Sequence, residues 1–269
     1  MPKSIHTYLY LSPHLDDAVL SCGGTIYRQA RDGARVLVAT LFAGSPANAD
    51  LTPFTRELWE RWGRADDPVA ARRAEDRAAL ALLGAEALHL PYLDCVYRQA
   101  PDTGEALYPT VEHIFAALHP AEEHLAAELA AGLCARVPLG PGVALCAPLA
   151  AGHHVDHQIA RRLARGLRDA VASLACYEDW PYAGDDETVA RALEDDAAAW
   201  VRRIASIDEE ALAVKGDAVA CYASQISTFW PDADAMRAAL LAQALRVGGG
   251  DPAEAFWRPA PTPSQGERP

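Results

Sequence analysis

The sequence predicts an α/β protein, and two observations support this prediction. Short apolar runs alternate with longer stretches of helical periodicity, which is the order expected of a sheet made mostly of parallel strands. The apolar runs are also nearly uninterrupted, as in strands that helices cover on both faces. We therefore predict a Rossmann-like, mostly parallel sheet with helices on both faces and an active site at the carboxyl ends of its strands.

The chain begins with a predicted strand, helix and second strand. "HTYLYLS" (6–12) is an apolar run, and the helical stretch 18–33 that follows it ends in a glycine, a common helix terminator. The run 35–44 is almost wholly apolar and predicts the second strand. The stretch 45–68 has too little periodicity for an assignment. Within it, "FTRELWERW" (54–62) fits a substrate-facing lid and an amphipathic surface helix equally well.

A helix, a third strand and an alanine-rich region come next. The helical pattern 69–84 ends in a glycine, and "ALHLPYLDC" (87–95) predicts the third strand. Residues 109–137 carry helical periodicity, which Pro120 divides into two helices because proline cannot donate a backbone hydrogen bond.

The second half of the chain continues the alternation. "GVALCAPLA" (142–150) predicts a fourth buried strand, and a helix follows from about 155 to 172. "LACYEDWPY" (174–182) predicts a fifth strand. Residues 198–208 fit one more strand and residues 209–225 fit another helix. We expect a single domain over residues 1–259 and a flexible tail over 260–269.

Composition and charge exclude several classes of function. The formal net charge is −13, and Lys3 and Lys215 are the only lysines. This acidity argues against binding to a nucleic-acid backbone and to anionic membranes. The sequence has no apolar run that could span a bilayer, and its first residues lack the apolar core of a signal peptide, so we expect neither a membrane span nor a signal peptide. Its six cysteines are scattered without a C-x-x-C pair, which is typical of reduced core residues in a cytoplasmic protein.

Two clusters of metal-ligating residues follow two of the predicted strands. His14, Asp16 and Asp17 come directly after the first strand, and "GHHVDH" (152–157) comes after the fourth. Either cluster alone could simply cap the helix that follows it. Because the carboxyl ends of parallel strands meet at one edge of a sheet, we expect the two clusters to form one site.

The donors in these clusters suit a catalytic zinc ion, which takes three protein ligands and leaves a position for water. The first cluster offers two ligands, and either His154 or His157 offers the third. Adjacent side chains diverge in an extended backbone. One of Asp16 and Asp17 is therefore expected to bind metal, and the other to act as a general base on the attacking water. Iron is the alternative metal for such donors.

These motifs resemble those of the PIG-L or LmbE-like zinc-dependent N-acetylglucosaminyl deacetylases. "SPHLDDAVLSCGG" (12–24) and "GHHVDHQIA" (152–160) are similar to the two metal motifs of that family. Residues 72–94 resemble its arginine-containing helix and third strand, 215–225 its late helix, and 253–258 its closing strand. The resemblance implies a hydrolase that removes the N-acetyl group from an amino sugar of a glycoconjugate or small metabolite.

The resemblance also implies the metal ligands and the base. The zinc ligands would be His14, Asp17 and His157, and the general base would be Asp16.

Four further residues take roles from the same resemblance. His154 would be a charged imidazole that stabilises the oxyanion and protonates the leaving amine, and Asp156 would orient a histidine. Arg72 and Asp94 would hold sugar hydroxyls.

The sequence departs from the family pattern at both motifs. Leu15 replaces a proline and Ala18 a glutamate that is not a ligand, so zinc binding should persist. This variant is associated with a subgroup that includes antibiotic-sugar deacetylases. Gly152 and His153 stand where some members place an active-site tyrosine. Trp180 follows the fifth strand and is expected to line the pocket and stack on a sugar.

Two alternatives stay open. One is a related metal amidohydrolase that acts on a non-sugar amide, and the other is a metal-binding protein without turnover. An oligomer is compatible with the sequence.

Overall fold

The computed structural model describes residues 5–46, 51–63, 66–194 and 200–260. The predicted flexible tail lies outside the described residues except for residue 260. The strands are β1 (Thr7–Ser12), β2 (Arg35–Thr40), β3 (Glu86–His89), β4 (Val143–Pro148), β5 (Ser173–Tyr177), β6 (Trp200–Ser206) and β7 (Ala253–Pro259). The helices are α1 (Asp17–Arg31), α2 (Pro53–Arg61), α3 (Pro68–Leu82), α4 (Val111–Ile114), α5 (Leu125–Cys134), α6 (Val155–Gly166), α7 (Asp186–Ala192), α8 (Glu209–Ala220), α9 (Ala223–Phe229) and α10 (Ala233–Gly248).

The strands of the described residues form one seven-stranded sheet in the order β3-β2-β1-β4-β5-β7-β6. The first five strands in this order are parallel, whereas β7 is antiparallel to both β5 and β6. The α/β prediction of a mostly parallel sheet is confirmed. β2 and β3 lie on one side of β1 in the sheet, and β4 and β5 lie on its other side. The point of reversal, between β1 and β4, is where ligands bind in such sheets.

Side chains alternate between two cores, one on each face of the sheet. Tyr10 of β1 belongs to a core with α1, α3, α8 and α10, whereas its neighbours Leu9 and Leu11 belong to a core with α5 and α6. This alternation follows from the two-residue repeat of a strand. Helices therefore cover both faces, as the nearly uninterrupted apolar runs predict.

Helix α1 is kinked at Cys22, which has the non-helical dihedral angles φ −139° and ψ 25°. The kink frees backbone amides, and the buried carboxylate of Glu254 accepts hydrogen bonds from Gly24 N at 3.0 Å and Thr25 N at 2.7 Å. Lys215 donates to the same carboxylate at 2.7 Å. This buried group thus joins β7 and α8 to the helix that begins at the first metal motif.

Several elements are shorter than their sequence patterns predict. The third strand ends at His89, where its continuous pairing with β2 ends, and beyond it Pro91 and Leu93 form only isolated bridges. The fifth strand ends at Tyr177 and the helix after the fourth at Gly166. Between 109 and 137, α4 has only 4 residues before the proline. The ends of elements depend on partners that the local pattern does not contain.

The remaining sequence expectations concern cysteines and membranes. All six cysteines are free, and four of them are buried, whereas Cys134 is exposed and Cys221 is half-buried. In the described part of the chain, no helix combines the length and apolarity needed to cross a bilayer.

Candidate metal centre

The loops after β1 and β4 bring the two histidine-aspartate clusters together. β1 and β4 pair in parallel, so both loops leave the same edge of the sheet. His14 Nε2 of the first loop lies 2.9 Å from Asp156 Oδ2 of the second cluster. His157 Nε2 lies 3.3 Å from Asp17 Oδ2. The two motifs therefore form one site, as their positions after the strands predict.

Three side chains present donor atoms to a common point. His14 Nδ1 lies 3.1 Å from Asp17 Oδ2, and the donor atoms of His14, Asp17 and His157 all lie within 4.8 Å of one another. His157 Nε2 is buried, and its 3.3 Å approach to Asp17 Oδ2 does not have hydrogen-bond geometry, so this nitrogen has no hydrogen-bond partner among the described residues. A buried ring nitrogen without a partner calls for a ligand, and two imidazoles with a carboxylate suit a divalent metal. These residues fit a metal ion.

Two other groups of donors lie close enough for a metal but fit one less well. They are His14 with His154 and Asp156, and Asp94 with Cys95 and Asp156. Both depend on Asp156, whose carboxylate lies 2.6 Å from Arg98 Nη1 and accepts from Cys95 N at 3.1 Å. A guanidinium at this distance disfavours a cation.

Each histidine of the ligand set is oriented by a carboxylate on its other nitrogen. The Nε2 of His14 faces Asp156, which leaves Nδ1 toward the metal position. The Nδ1 of His157 lies 2.8 Å from Asp179 Oδ2, which leaves Nε2 toward it. Such carboxylates set the tautomer and the orientation of metal-binding imidazoles. Sequence reasoning missed Asp179 because the predicted fifth strand (174–182) contains it, whereas in the structure β5 ends at Tyr177, two residues before Asp179.

The charges of the site favour a cation at the ligand position. Burial lowers the pKa of His157, but Asp17 and Asp179 outweigh this and raise it to about 9. Burial raises the pKa of Asp17, but His157 and His14 hold it well below its usual value. The carboxylates that favour a proton on His157 would favour a metal ion in its place.

The adjacent aspartates point to different partners. Asp17 faces the two ligand histidines, whereas Asp16 Oδ2 lies 3.7 Å from Arg72 Nη2 and lines the neighbouring cavity. No group of candidate ligands in the described residues includes Asp16. Burial and the charge of Asp17 raise the pKa of Asp16 to about 6, against the opposing effect of Arg72. A buried carboxyl with this pKa can accept a proton near neutral pH.

His154 is the N-cap of α6, and its surroundings favour a neutral ring. Its Nδ1 accepts from Asp156 N at 3.2 Å, so the ring proton lies on Nε2. Burial and the imidazoles of His14 and His157 hold the pKa of His154 well below its usual value. The resemblance implies a charged imidazole here, whereas these contacts favour a neutral donor. His153 is exposed and does not line the cavity.

Asp156 lies at the centre of a buried network behind His14. Burial raises its pKa, but Arg98 and the contact with His14 hold it well below its usual value. Arg98 also donates through Nε and Nη2 to the buried carboxylate of Glu122, to which Tyr108 donates at 2.6 Å. Sequence reasoning assigned Asp156 an orienting role but missed Arg98, because nothing in the sequence indicates that the two residues are paired.

The two predicted substrate-binding residues both line the cavity. The Arg72 guanidinium lies 4.7 Å from the centre of the Trp62 ring. Asp94 accepts from Val96 N through Oδ1 at 3.1 Å, and its Oδ2 lies 3.8 Å from His14 Nε2. Their charged ends can therefore contact a molecule bound beside the metal position.

The cavity beside the metal position has a volume of about 780 Å³. Phe54, Leu58 and Trp62 line it, so the segment 54–62 faces the cavity and is not only a surface helix. Trp180 does not line it but stacks on Trp230 at 5.4 Å, which corrects the expectation for Trp180.

Tyr182 is a cavity residue that sequence reasoning missed. Its ring centre lies 5.3 Å from that of His157. A Cβ atom at Gly152 would lie 2.6 Å from the Tyr182 side chain. The absence of a side chain at position 152 therefore makes room for Tyr182.

Comparisons with known proteins agree with the motifs. The PIG-L family model, described as GlcNAc-PI de-N-acetylase, matches residues 9–167. A 2'-N-acetylparomamine deacetylase of Streptomyces fradiae is 34% identical over an alignment of 189 residues, and the match covers 67% of this chain and 59% of that protein. The chain thus spans less than two thirds of that relative. A 2'-N-acetylparomamine deacetylase of Niallia circulans is 25% identical, over 68% of this chain and 70% of that protein.

Solved structures match almost the whole chain. The zinc-inhibited form of teicoplanin deacetylase Orf2 has a TM-score of 0.78 and 28% identity, and the match covers 96% of this chain and 100% of that chain. The A40926 pseudoaglycone deacetylase Dbv21 has a TM-score of 0.71 and 27% identity, with coverages of 95% and 97%. From the family match over more than half of its length, together with these structures, the chain belongs to the PIG-L (GlcNAc-PI de-N-acetylase) family.

Proposed function

We propose that the protein is a zinc-dependent hydrolase that removes the N-acetyl group from an amino sugar. The observation that carries this proposal is the convergence of His14, Asp17 and His157 next to a cavity lined by Asp16. The relatives named as deacetylases of 2'-N-acetylparomamine and of teicoplanin support the reaction class.

His14 Nδ1, Asp17 Oδ2 and His157 Nε2 would hold the zinc ion. When bound, zinc supplies a Lewis acid that acidifies water and polarises the acetamide carbonyl. Asp16 then takes the proton of the water that attacks the carbonyl carbon, because its carboxylate lines the cavity and has a raised pKa.

His154 and Tyr182 stabilise the negative charge that develops on the carbonyl oxygen. His154 offers a proton on Nε2, since its Nδ1 is an acceptor, and Tyr182 adds a hydroxyl at the same end of the cavity. As the C–N bond breaks, the proton on Asp16 passes to the leaving nitrogen. The products are acetate and the free amine. Arg72 and Asp94 hold hydroxyls of the sugar.

The proposal is tested by measuring acetate release from a panel of N-acetylated amino sugars and unrelated amides, with and without a chelator. Chelation should abolish release, and zinc should restore it. Asp16→Ala should lose activity but retain its metal, whereas Asp32→Ala, at the exposed end of α1, should behave as the wild type. Full activity of Asp16→Ala would contradict the mechanism.

The same panel separates the alternatives. Release from other amides but not from amino sugars would identify a different amidohydrolase. A protein that contains metal but releases no acetate from any compound would be a binding protein.

A further inference from the structure

The cavity is large for a single sugar ring. Its volume of about 780 Å³ lies within the range of about 300–1,000 Å³ in which pockets bury a drug-sized molecule. The metal centre, Asp16 and Arg72 lie at its polar end, where the acetamide and the sugar would bind. The other end must therefore hold the part of the substrate that is attached to the sugar.

Helix α2 forms one wall of this outer end. Phe54 and Leu58 are four residues apart, so they lie on one face of the helix, and both line the cavity. The adjacent face, which carries Thr55 and Trp59, is anchored to the body of the protein. Thr55 donates to Val96 O at 2.9 Å, and Trp59 Nε1 donates to Tyr97 OH at 2.8 Å. The apolar face of α2 is thus held in place toward the cavity.

The segment around α4 forms the facing wall. Its residues Val111, Ile114 and Phe115 line the cavity. The ring centre of Phe115 lies 5.4 Å from that of His154 and 5.8 Å from that of Tyr182. The apolar wall is therefore continuous with the residues beside the metal position.

Both carboxylates of the outer end, Glu57 and Glu112, already accept hydrogen bonds from protein groups. Arg61 donates to Glu57 at 2.8 Å, one helical turn away. The hydroxyl of Thr110 donates to Glu112 at 2.5 Å. A polycationic group would have to compete with these partners and would lie against apolar side chains. An apolar group would bury those side chains without disturbing either pair.

We propose that the outer end is a subsite for an apolar aglycone, an alkyl or aryl group linked to the amino sugar, bound between α2 and the segment 109–115. This inference rests on the proposed function and narrows its substrate class. Such a subsite favours substrates with an apolar aglycone over substrates in which the sugar is attached to a cationic aminocyclitol.

The test compares the hexyl and methyl β-glycosides of N-acetylglucosamine and 2'-N-acetylparomamine as substrates of the zinc-loaded protein. Each methylene buried in an apolar site contributes a factor of about four in affinity. With two to three of the five additional methylenes buried, the hexyl glycoside should exceed the methyl glycoside about 10- to 100-fold in kcat/KM. It should also exceed 2'-N-acetylparomamine. Equal values for the two glycosides, or a preference for the aminocyclitol, would overturn the subsite.

Leu58→Gln tests whether the preference originates at α2. Glutamine retains helix propensity but removes apolar surface from the wall, so the hexyl-to-methyl ratio should fall about fivefold. Leu82→Gln is the matched control, because Leu82 is 48% exposed on α3 and does not line the cavity. It should keep the wild-type ratio. An unchanged ratio in Leu58→Gln would show that the hexyl group binds elsewhere.

If no glycoside is deacetylated, the proposed function fails but the subsite remains testable. Calorimetry would then measure the binding of hexyl and methyl β-glucoside, neither of which carries an acetamide. Tighter binding of the hexyl compound that weakens in Leu58→Gln would support the subsite, and equal binding of both compounds would refute it.

Discussion

Arg98→Met should weaken both the fold and the metal site, because Arg98 is an ion-pair partner of two buried carboxylates. Asp156 is completely buried and Glu122 is 5% exposed. Removing one partner of a buried ion pair costs about 3–5 kcal/mol, since a charge is left without compensation. For a chain of this size, each kcal/mol lowers Tm by about 2–4 °C. The metal-free variant should therefore melt about 6–20 °C below the wild type.

The metal affinity should fall as well. Asp156 orients His14 through the 2.9 Å contact with Nε2, and Arg98 lies 2.6 Å from the other oxygen of Asp156. Loss of a partner that orients a ligand typically lowers metal affinity about 10- to 100-fold. Competition with a chromogenic chelator would measure the Kd for zinc, and scanning calorimetry would measure Tm.

Arg202→Met is the matched control. Arg202 donates to the buried carboxylate of Glu178 at 2.7 Å and 2.9 Å, and in the described part of the chain neither side chain forms a hydrogen bond or ion pair with His14, Asp17 or His157. Its loss should lower Tm but leave the Kd for zinc unchanged. Arg98 would have no specific role in positioning His14 if Arg98→Met kept the wild-type Kd for zinc. The same would follow if Arg202→Met weakened zinc binding as much as Arg98→Met does.

Three further predictions concern other buried carboxylates. Asp179→Asn should weaken zinc binding about 10- to 100-fold in the chelator assay, because His157 loses its charged partner. Asp16→Asn should raise the unfolding free energy of the metal-free protein by about 3 kcal/mol at pH 7, because a raised pKa means that ionisation of Asp16 opposes folding. Urea denaturation should show the gain fully above pH 6 and lose it toward pH 4, where aspartate is protonated in both states; a gain independent of pH would contradict the reasoning. Glu254→Gln should destabilise the protein by about 3–5 kcal/mol, and Lys215→Met combined with it should restore part of that loss, because the single change leaves a buried ammonium unpaired. A double variant less stable than the single one would refute this pairing.

The order of the elements and the residues of the candidate metal site could be predicted from the sequence. The apolar run that becomes β1 and the residues His14, Asp16 and Asp17 are adjacent in the chain, so local pattern and side-chain chemistry suffice. The same holds for β4 with His154 and His157. Parallel strands then place both clusters at one edge without further information.

The spacing of the two aspartates does not show which of them is the metal ligand and which is the general base. Extended backbone predicts that Asp16 and Asp17 diverge, but not which one faces the histidines. In the structure α1 begins at Asp17, whose carboxylate accepts from His14 N at 2.7 Å, and this leaves Asp16 toward Arg72. The orientation of the first turn of α1 therefore decides which aspartate faces the histidines, and the local sequence does not specify that orientation.

The amino-acid sequence by itself determined that this chain folds as an α/β sheet and carries metal-ligating residues after its first and fourth strands, because periodicity and donor chemistry are properties of neighbouring residues. Only the tertiary structure decided that Asp179 and Arg98 support the candidate ligand histidines, that Tyr182 occupies the space beside Gly152, and that Trp180 stacks on Trp230 and does not line the cavity. Each of these depends on contact between segments far apart in the chain, and such contacts leave no mark in local periodicity.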